Sequence, residues 1–396
     1  MNNFEVIIAG AGPAGSAAAL LLAQKGIKTL VIDKAMLPRY KTCGGGVVGR
    51  TSQFLPLDYT TIAEHSCYSA DIFDIKNNFH FYVKKTRPVI LMTMRKDLDW
   101  FLLSLAKQNG AAVLDNCELL EVYNRNDYAE IETSKGTLRA KFLIAADGSS
   151  GIISKKSGWD NLTVSAPAIE YEVHVKDNVF SRLGKSARFD FGTFPQGYSW
   201  VFPKKDHLSI GSAFLMKSTL NLHKITMEYL KLLGIDDPIK VEKHGFFVKV
   251  NPRSKKFIRK QIFFTGDSAG FADPLTGEGI SYAILSGKLA ASAIIESGFN
   301  SELAGYFYNR DVQEKILKEL KYAKFLWKIV YGFPKLRTEL FRFCGQKLSE
   351  GVTSVMSGDK TYSELFLNLQ SYLKLLRSSF TRKKKSVLAD RMIMDA

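Results

Sequence analysis

The stretch from Met1 to Asp33 restricts the possible folds more than any other part of the chain. Phe4-Glu5-Val6-Ile7-Ile8-Ala9 is a short, mostly apolar run of strand length. Gly10-Ala11-Gly12-Pro13-Ala14-Gly15 follows, and Ser16 to Gln24 is rich in alanine and leucine. Lys28 to Ile32 is mostly apolar again and leads into Asp33 and Lys34. The order predicts strand, glycine turn, helix, strand and acid. Gly10 permits the tight exit from the strand, Gly12 lets a pyrophosphate approach the backbone, and Gly15 lets the helix lie close to the sheet. Pro13 and Ala14 open the helix, whose unpaired N–H groups and partial positive charge face the phosphates. Asp33 stands 18 residues after Gly15, a spacing that suits a ribose 2′-hydroxyl. A dinucleotide is predicted; the motif alone does not separate FAD from NAD.

A chain of 396 residues can bury a large core and is expected to hold two domains. The 27 Phe and 16 Tyr suit either an apolar ligand pocket or a large core. A net charge of +16 favours anionic partners: an acidic membrane surface, or an acidic protein such as a small electron carrier. No nucleic-acid motif accompanies the charge, so nucleic acid is not an expected partner. Cys43, Cys67, Cys117 and Cys344 form no CxxC pair and have no histidine at zinc spacing, so no metal is expected. No charged-then-apolar leader precedes Phe4, and no apolar run has transmembrane length. These features predict a reducing, cytoplasmic setting, with room for peripheral contact on the inner membrane face.

Farther along, Pro38 to Gly49 reads as a loop containing Lys41-Thr42-Cys43-Gly44-Gly45-Gly46, whose glycines leave the backbone open to a ligand. Two antiparallel strands around Asn77-Asn78 are predicted between Ser69 and Arg87. Leu98, Phe101, Leu102, Leu105 and Ala106 recur at helical spacing within Met94 to Asn109, and Gly110 caps that helix. Three or four short strands should fill Ala112 to Ala146, the last running into Asp147-Gly148. Alternating strands dominate Ser165 to Val250 and read as a separate antiparallel sheet, interrupted by a helix over Leu222 to Leu233. Gln261 to Thr265 reads as a buried strand that returns to the first domain and ends at Gly266-Asp267. A helix is expected over Ile280 to Ser297, and Glu302 to Lys347 should be helical with breaks at Gly332 and Pro334. The last twenty residues, with Arg382-Lys383-Lys384-Lys385, read as a loose basic tail.

The glycine fingerprint, Ala146-Asp147-Gly148 and Gly266-Asp267, in that order, resemble the FAD-binding set of the p-hydroxybenzoate hydroxylase-like flavoprotein superfamily. Arg95 matches a further position that contacts the cofactor in such proteins. On the residues themselves, Asp267 at a strand end can bond a ribityl hydroxyl. The run Asp273-Pro274-Leu275-Thr276-Gly277-Glu278-Gly279 then opens a helix at Ile280, whose positive end would stabilise an anionic reduced flavin ring. Lys41-Thr42-Cys43-Gly44-Gly45-Gly46 resembles the cysteine-glycine-glycine loop of the geranylgeranyl reductase family. Tyr198-Ser199-Trp200-Val201-Phe202-Pro203 resembles that family's Tyr-x-Trp-x-Phe-Pro motif. The resemblance implies that the first stretch, Thr42, Cys43, Gly44 and Gly45 included, lines the flavin, and that Tyr198, Trp200 and Phe202 line a lipid cavity. Alternation alone would put those three rings on one face of a strand.

The fold expected is α/β: a glutathione-reductase-like FAD-binding Rossmann domain, an inserted, mostly antiparallel substrate sheet and a helical C-terminal region. Residues 1–75, 95–160 and 256–300 are assigned to the FAD domain, 76–94 and 161–255 to the substrate domain, and 301–396 to the helical region and basic tail. The function implied is reduction of isoprenoid C=C bonds by hydride from flavin N5, with an external donor, NAD(P)H or a ferredoxin-like carrier, supplying electrons. Cys43 beside the flavin could deliver the proton, and Tyr198 and Trp200 would share the catalytic wall. A flavin monooxygenase, hydroxylase or halogenase of the same superfamily is the alternative, as is a membrane-peripheral redox carrier without an organic substrate. A halogenase's tryptophan-rich signature would put Trp where Tyr198 stands. Arg50 reads as either a phosphate contact or a solvated side chain. Lysines 315, 318, 321, 324 and 328, interleaved with aromatics, read as a solvated face or a surface for an anionic bilayer. The six histidines carry no assigned role, and Cys67, Cys117 and Cys344 read as buried fillers.

Overall fold

A computed structural model describes residues 4–159, 164–216, 219–252 and 256–367. Its first layer is a sheet around Phe4–Ala9, a strand with four of its six residues fully buried. Thr29–Ile32 and Gly136–Ala145 flank it, with Ala112–Leu114 and Ile262–Phe264 outside them, and all five run parallel. Near-continuous apolar character fits strands covered on both faces. Leu119–Asn124 and Ala129–Thr133 extend Gly136–Ala145 as an antiparallel meander. The helix Pro13–Gln24 packs on this sheet, and the helix Ile280–Glu296 packs on that helix. Their approach is close because small residues meet: a Cβ on Gly287 would come within 2.0 Å of the Ala14 carbonyl oxygen.

The second layer is a seven-stranded sheet. From one edge the order is Lys240–Val250, Val164–His174, Leu208–Phe214, Gly197–Pro203, Ala187–Phe191, Ser69–Asp74 and Phe79–Lys84. Every pairing is antiparallel except that of Ala187–Phe191 with Ser69–Asp74. Its outer face packs on the helix Leu222–Leu232 through Tyr171, Ile210, Tyr229 and Leu230. Its inner face carries Tyr198, Trp200 and Ala213 and is roofed by C-terminal helices through Leu326, Tyr331 and Leu340.

Several expectations need correction. The hairpin at Asn77-Asn78 forms as predicted, but both its strands belong to the second sheet, so Ser69–Asp74 is not part of the first domain. A tight turn holds a hairpin together, and alternation does not say which sheet it joins. Ile90–Met92, expected with the substrate sheet, instead pairs with Gly46–Val48 and His65–Cys67 in a small third sheet. The glycine loop therefore ends in a strand at Gly46. The helical region runs past Lys347: Pro334–Ser357 is one helix with a kink at Cys344 (φ −144°). Gly345 beside the kink lies on Phe81, where a Cβ would come within 2.1 Å of the ring. Two π-helical turns, Gln313–Leu317 and Lys328–Gly332, interrupt the helical run before it, the second ending at the predicted break. The run Arg382–Lys385 lies outside the described residues.

The Gly287 contact makes a direct prediction. Gly287→Ala overpacks the junction of the two helices and should destabilise the protein by about 1–3 kcal/mol. A urea unfolding midpoint equal to that of the wild type would show that the two helices do not meet as closely as described.

Candidate active site

Parallel strands present their C-terminal ends on one edge of a sheet, and ligands of such sheets bind there. Four of these ends carry the three predicted motifs, the fingerprint supplying two of them: Gly10 after Ala9, Asp33 after Ile32, Asp147 after Ala145-Ala146, and Gly266-Asp267 after Phe264-Thr265. They converge on one cleft of about 1840 Å³, counted to its open mouth. Gly10, Gly12, Pro13, Ala14, Asp33 and Lys34 line it, as do Thr42, Cys43, Arg95, Ala146, Asp147 and Gly148. Gly266, Asp267, Gly277, Gly279 and Ile280 complete the predicted set on its walls. Of the remaining predicted residues, Gly15 lies behind the turn, Gly44 and Gly45 line an adjoining chamber, and Pro274 is buried within its loop.

The three fingerprint glycines serve different ends. A Cβ on Gly10 would lie 2.2 Å from the Ala146 carbonyl oxygen, and one on Gly15 would lie 1.9 Å from the Gly10 carbonyl oxygen. Those two are demanded by the protein's own packing. A Cβ on Gly12 would meet only the guanidinium nitrogens of Arg95 and Arg39, at 3.8 and 3.9 Å, and would project into the cleft. A pyrophosphate passing Gly12 would therefore meet two guanidinium groups and a helix N-terminus. Arg95 pairs with Asp99 at 2.9 Å, and Arg39 bridges Asp99 at 3.2 Å and Asp33 at 3.4 Å. Burial works against charge on Arg95, but Asp99 and Cys43 outweigh it and raise its pKa. Arg39 went unrecognised in the sequence because a lone arginine in a loop carries no signal of its own.

Asp33 holds the turn as well as facing the cleft. Its carboxylate accepts the Ala11 N–H at 2.9 Å and the Ala35 N–H at 3.0 Å. Asp147 joins two motifs: it accepts the Ile153 N–H at 3.0 Å and the Ser268 hydroxyl at 2.7 Å. Burial raises its pKa, and these bonds oppose the rise. Gly151 is required beside it, since a Cβ there would fall within 2.4 Å of the Asp147 carboxyl. Asp267 is likewise raised by burial, with Lys41 and Arg95 opposing.

The loop Asp273–Gly279, which opens the helix at Ile280, is fixed from outside. Tyr198 Oη donates to the Thr276 carbonyl at 2.5 Å, Tyr331 Oη to the Leu275 carbonyl at 2.9 Å, and Tyr362 Oη to Asp273 at 2.6 Å. Arg50 is neither a phosphate contact nor solvated: it bonds Glu278 at 2.7 Å, reaches Asp273 at 3.5 Å and stacks on Tyr282.

The loop from Cys43 to Gly46 is held by Lys204, a fully buried residue that sequence reading missed. Its Nζ donates to the carbonyls of Gly44 and Thr93, both at 2.8 Å. The glycines answer the protein rather than a ligand: a Cβ on Gly45 would lie 1.9 Å from the Thr93 oxygen, and one on Gly44 2.9 Å from Phe202. Cys43 donates its backbone N–H to Glu170 at 2.7 Å, and its sulfur accepts the Gly45 N–H at 3.5 Å. Glu170 is completely buried; burial and then Glu172 push its carboxyl up to about 7, with the Ser209 hydroxyl and Lys204 opposing.

Tyr198, Trp200 and Phe202 do share one face, their ring centroids about 6 Å apart in a row (5.9 and 6.1 Å). Gly211 opposite Trp200 makes room for its indole, since a Cβ there would fall 2.2 Å from the ring. The Trp200 N–H is buried with no hydrogen-bond partner among the described residues. These rings wall a chamber of about 740 Å³, counted to its open mouth, that begins at Cys43, Gly44 and Gly279. A second apolar cavity, about 930 Å³ counted in the same way, lies under the C-terminal helices between Phe191, Tyr331, Phe341 and Val352. The two share Phe189, Tyr198, Thr276 and Met356 as common walls. The histidines also acquire partners: His207 lies between Glu172, at 3.0 Å, and Asp206, at 2.7 Å. Of the presumed filler cysteines, Cys67 and Cys117 are buried and Cys344 half-buried, and all four cysteines are free.

Residues 3–189 match the FAD binding domain family. An uncharacterized protein of Methanosarcina barkeri is 33% identical over 339 residues, 84% of this chain and 85% of its own. Digeranylgeranylglycerophospholipid reductase 3 of Methanosphaera stadtmanae is 26% identical over 412 residues, 97% of each chain. A solved structure of a geranylgeranyl bacteriochlorophyll reductase-like protein from Thermoplasma acidophilum shares the fold, with a TM-score of 0.71 at 22% identity over 90% of this chain and 91% of that one. Cleft and comparisons together define an FAD-dependent oxidoreductase. Within that class the chain belongs to the geranylgeranyl reductase family.

The cleft geometry separates binding from folding. Gly12→Val should fold with wild-type stability yet lose most bound FAD, because its side chain enters the cleft without touching backbone. A yellow, fully loaded Gly12→Val protein would refute the placement of the pyrophosphate.

Proposed function

We propose that this protein reduces isolated C=C bonds in an isoprenoid chain. The observation that carries the reading is the pair of apolar cavities that share a wall, the nearer of which reaches Cys43 at the FAD cleft. A long hydrocarbon fits such a bent, aromatic-lined channel better than a compact polar substrate does. Bound FAD, once reduced, supplies a hydride and its electron pair at N5. The residues do the rest. Tyr198, Trp200 and Phe202 hold the chain against the cleft, and Gly277 and Gly279 keep the helix start at Ile280 free of side chains. Tyr331 and Phe341 line the far cavity. Cys43 stands where the chamber meets the cleft and lines both, a position suited to delivering a proton. An external donor, NAD(P)H or a ferredoxin-like carrier, replenishes the electrons.

Access to a lipid substrate favours a membrane surface. Phe333, Leu336 and Phe343 are exposed at helical spacing, the first and last by 59% and 58%, with Lys335, Arg342 and Lys347 exposed beside them. No helix among the described residues is long and apolar enough to cross a membrane.

Photoreduced enzyme mixed anaerobically with geranylgeranyl diphosphate should be reoxidised and yield products heavier by whole hydrogen pairs. Trp200→Ala should keep its FAD and slow that step by about tenfold to a hundredfold, because the chain is then poorly positioned. An oxygen-dependent product that gains an oxygen atom would instead place the protein on the hydroxylase branch. Binding to anionic vesicles should weaken as salt rises, since exposed charges are largely screened beyond about 8 Å at physiological salt. Equal binding to neutral and anionic vesicles at low salt would remove the electrostatic account.

A further inference from the structure

We propose that His174, His207 and Asp206 form a binding site for a divalent transition cation of the zinc class, at the rim of the second sheet. Each of the three residues offers one ligand atom, and these atoms lie within 4.8 Å of one another. They line neither the FAD cleft nor the two apolar cavities, so the site is separate from the flavin chemistry.

Strand register brings the three together. Val173 pairs with Leu208, so the next residues outward, His174 and His207, stand opposite each other where Val164–His174 ends and Leu208–Phe214 begins. Directly opposed side chains of an antiparallel pair have Cβ atoms about 4.5–5.5 Å apart. The two imidazoles accordingly stack, with centroids 5.0 Å apart. Lys204 donates its backbone N–H to the His207 carbonyl at 2.8 Å, which leaves Lys205 and Asp206 as a two-residue turn. That turn sets the Asp206 carboxylate beside the ring that follows it, 2.7 Å from His207 Nδ1. His174 is fixed from its other side, where its carbonyl accepts the Ile239 N–H at 2.8 Å. Cysteine spacing gives no hint of such a set, because its members come from two strands 32 positions apart.

The donor set selects the cation. Two imidazoles and a carboxylate suit zinc, nickel or copper, whereas magnesium and calcium prefer oxygen ligands throughout. Glu172 supplies the support that a ligating histidine needs. It lies two residues before His174 on the strand and so shares its face, and its carboxylate meets His207 Nε2 at 3.0 Å. A carboxylate on that nitrogen holds the hydrogen there, fixes the ring and leaves the Nδ1 lone pair facing Asp206. Glu172, His207 and Asp206 alone would make a complete ion-paired triad around a protonated ring. The second imidazole is what that triad does not use and a cation does. A bound cation takes the place of the proton between Nδ1 and Asp206. Glu242 adds negative charge opposite Glu172 in register, and Lys240, opposite His174, is already paired with Glu242 at 2.5 Å. His207 is buried but Asp206 is 71% exposed, so the site opens to water on one side, where a fourth ligand can enter. The same turn serves the flavin site. Lys204, whose Nζ anchors the carbonyls of Gly44 and Thr93, is tied to His207 through its backbone, so a cation on His207 pins the turn from which Lys204 reaches the glycine loop.

Equilibrium dialysis of the untagged, chelator-treated holoenzyme against micromolar Zn²⁺ tests the site. The wild type should bind one equivalent. His174→Ala and Asp206→Asn change residues at the partly open rim of the sheet, so both should fold and keep their FAD yet lose that equivalent. Glu172→Gln, which touches His207 and not the ion, should bind about 10-fold to 100-fold more weakly. Cu²⁺ prefers the same ligands and binds them most tightly. Its electron paramagnetic resonance spectrum in the wild type should show coupling to two imidazole nitrogens. Hydrogen exchange at the Lys204 amide should slow when Zn²⁺ is added to the wild type and stay unchanged in His174→Ala. A wild type that takes up no equivalent of Zn²⁺ overturns the proposal. So does a folded His174→Ala protein that binds Zn²⁺ as the wild type does, because the four free cysteines or other histidines would then be the ligands. A copper spectrum without two nitrogens overturns it as well.

Discussion

The active cleft depends on one constraint: the five central strands of the first sheet run parallel, and four of them end at the cleft. Parallel pairing of Phe4–Ala9 with its two neighbours, and of Ile262–Phe264 beyond, brings residues separated by more than 250 positions to one edge. An antiparallel reversal of any of these strands would carry its motif to the opposite edge, about 20 Å away for a six-residue strand. Parallel strands need long crossovers. Five of the seven strands of the second sheet are spliced into the longest of these, between Gly136–Ala145 and Ile262–Phe264, and the hairpin of Ser69–Asp74 and Phe79–Lys84 into an earlier one, between Thr29–Ile32 and Ala112–Leu114.

The loop beneath the flavin site shows how the C-terminal region takes part. Within Asp273–Gly279 the Asp273 carboxylate accepts the Leu275 N–H at 2.8 Å, and from outside Tyr198, Tyr331, Tyr362 and Arg50 hold the loop in place. Two of these four come from the helical region that also roofs the apolar cavity. Packing of that roof and placement of the helix N-terminus at Ile280 are therefore one arrangement. Buried hydroxyls that each find a carbonyl or carboxylate fit this role, since leaving such groups unpaired costs about 1–3 kcal/mol apiece.

Polar groups inside the second sheet follow the same economy of position. Lys204 is fully buried, but its charge is bonded to two carbonyls of the segments it joins. Asp190 is fully buried and answered by Arg188 and the Tyr229 hydroxyl. Glu170 differs: its partners are a backbone N–H, a hydroxyl and a second acid, so neutrality comes most readily from a proton. That difference marks it out among the buried charges of this sheet.

The sequence by itself determined the FAD domain, because its signals are local. Glycines at a strand-to-helix turn, an acid at a strand end and a helix start after Gly279 each report their surroundings within a few residues. The row Tyr198, Trp200 and Phe202 was legible for the same reason, since a strand alternates by two. Only the tertiary structure decided the rest. Nothing near Ser69 says which sheet its hairpin joins, because alternation is the same in both. The glycines at 44 and 45 looked like ligand space until Lys204, Thr93 and Phe202 arrived from elsewhere in the chain. Glu170, Arg39, Arg50 and His207 carry no local pattern; each draws its character from partners up to 232 positions away, as Arg50 does from Tyr282. Burial and pairing set the charge of such groups, and both are made only when the two sheets and the helical roof close on one another.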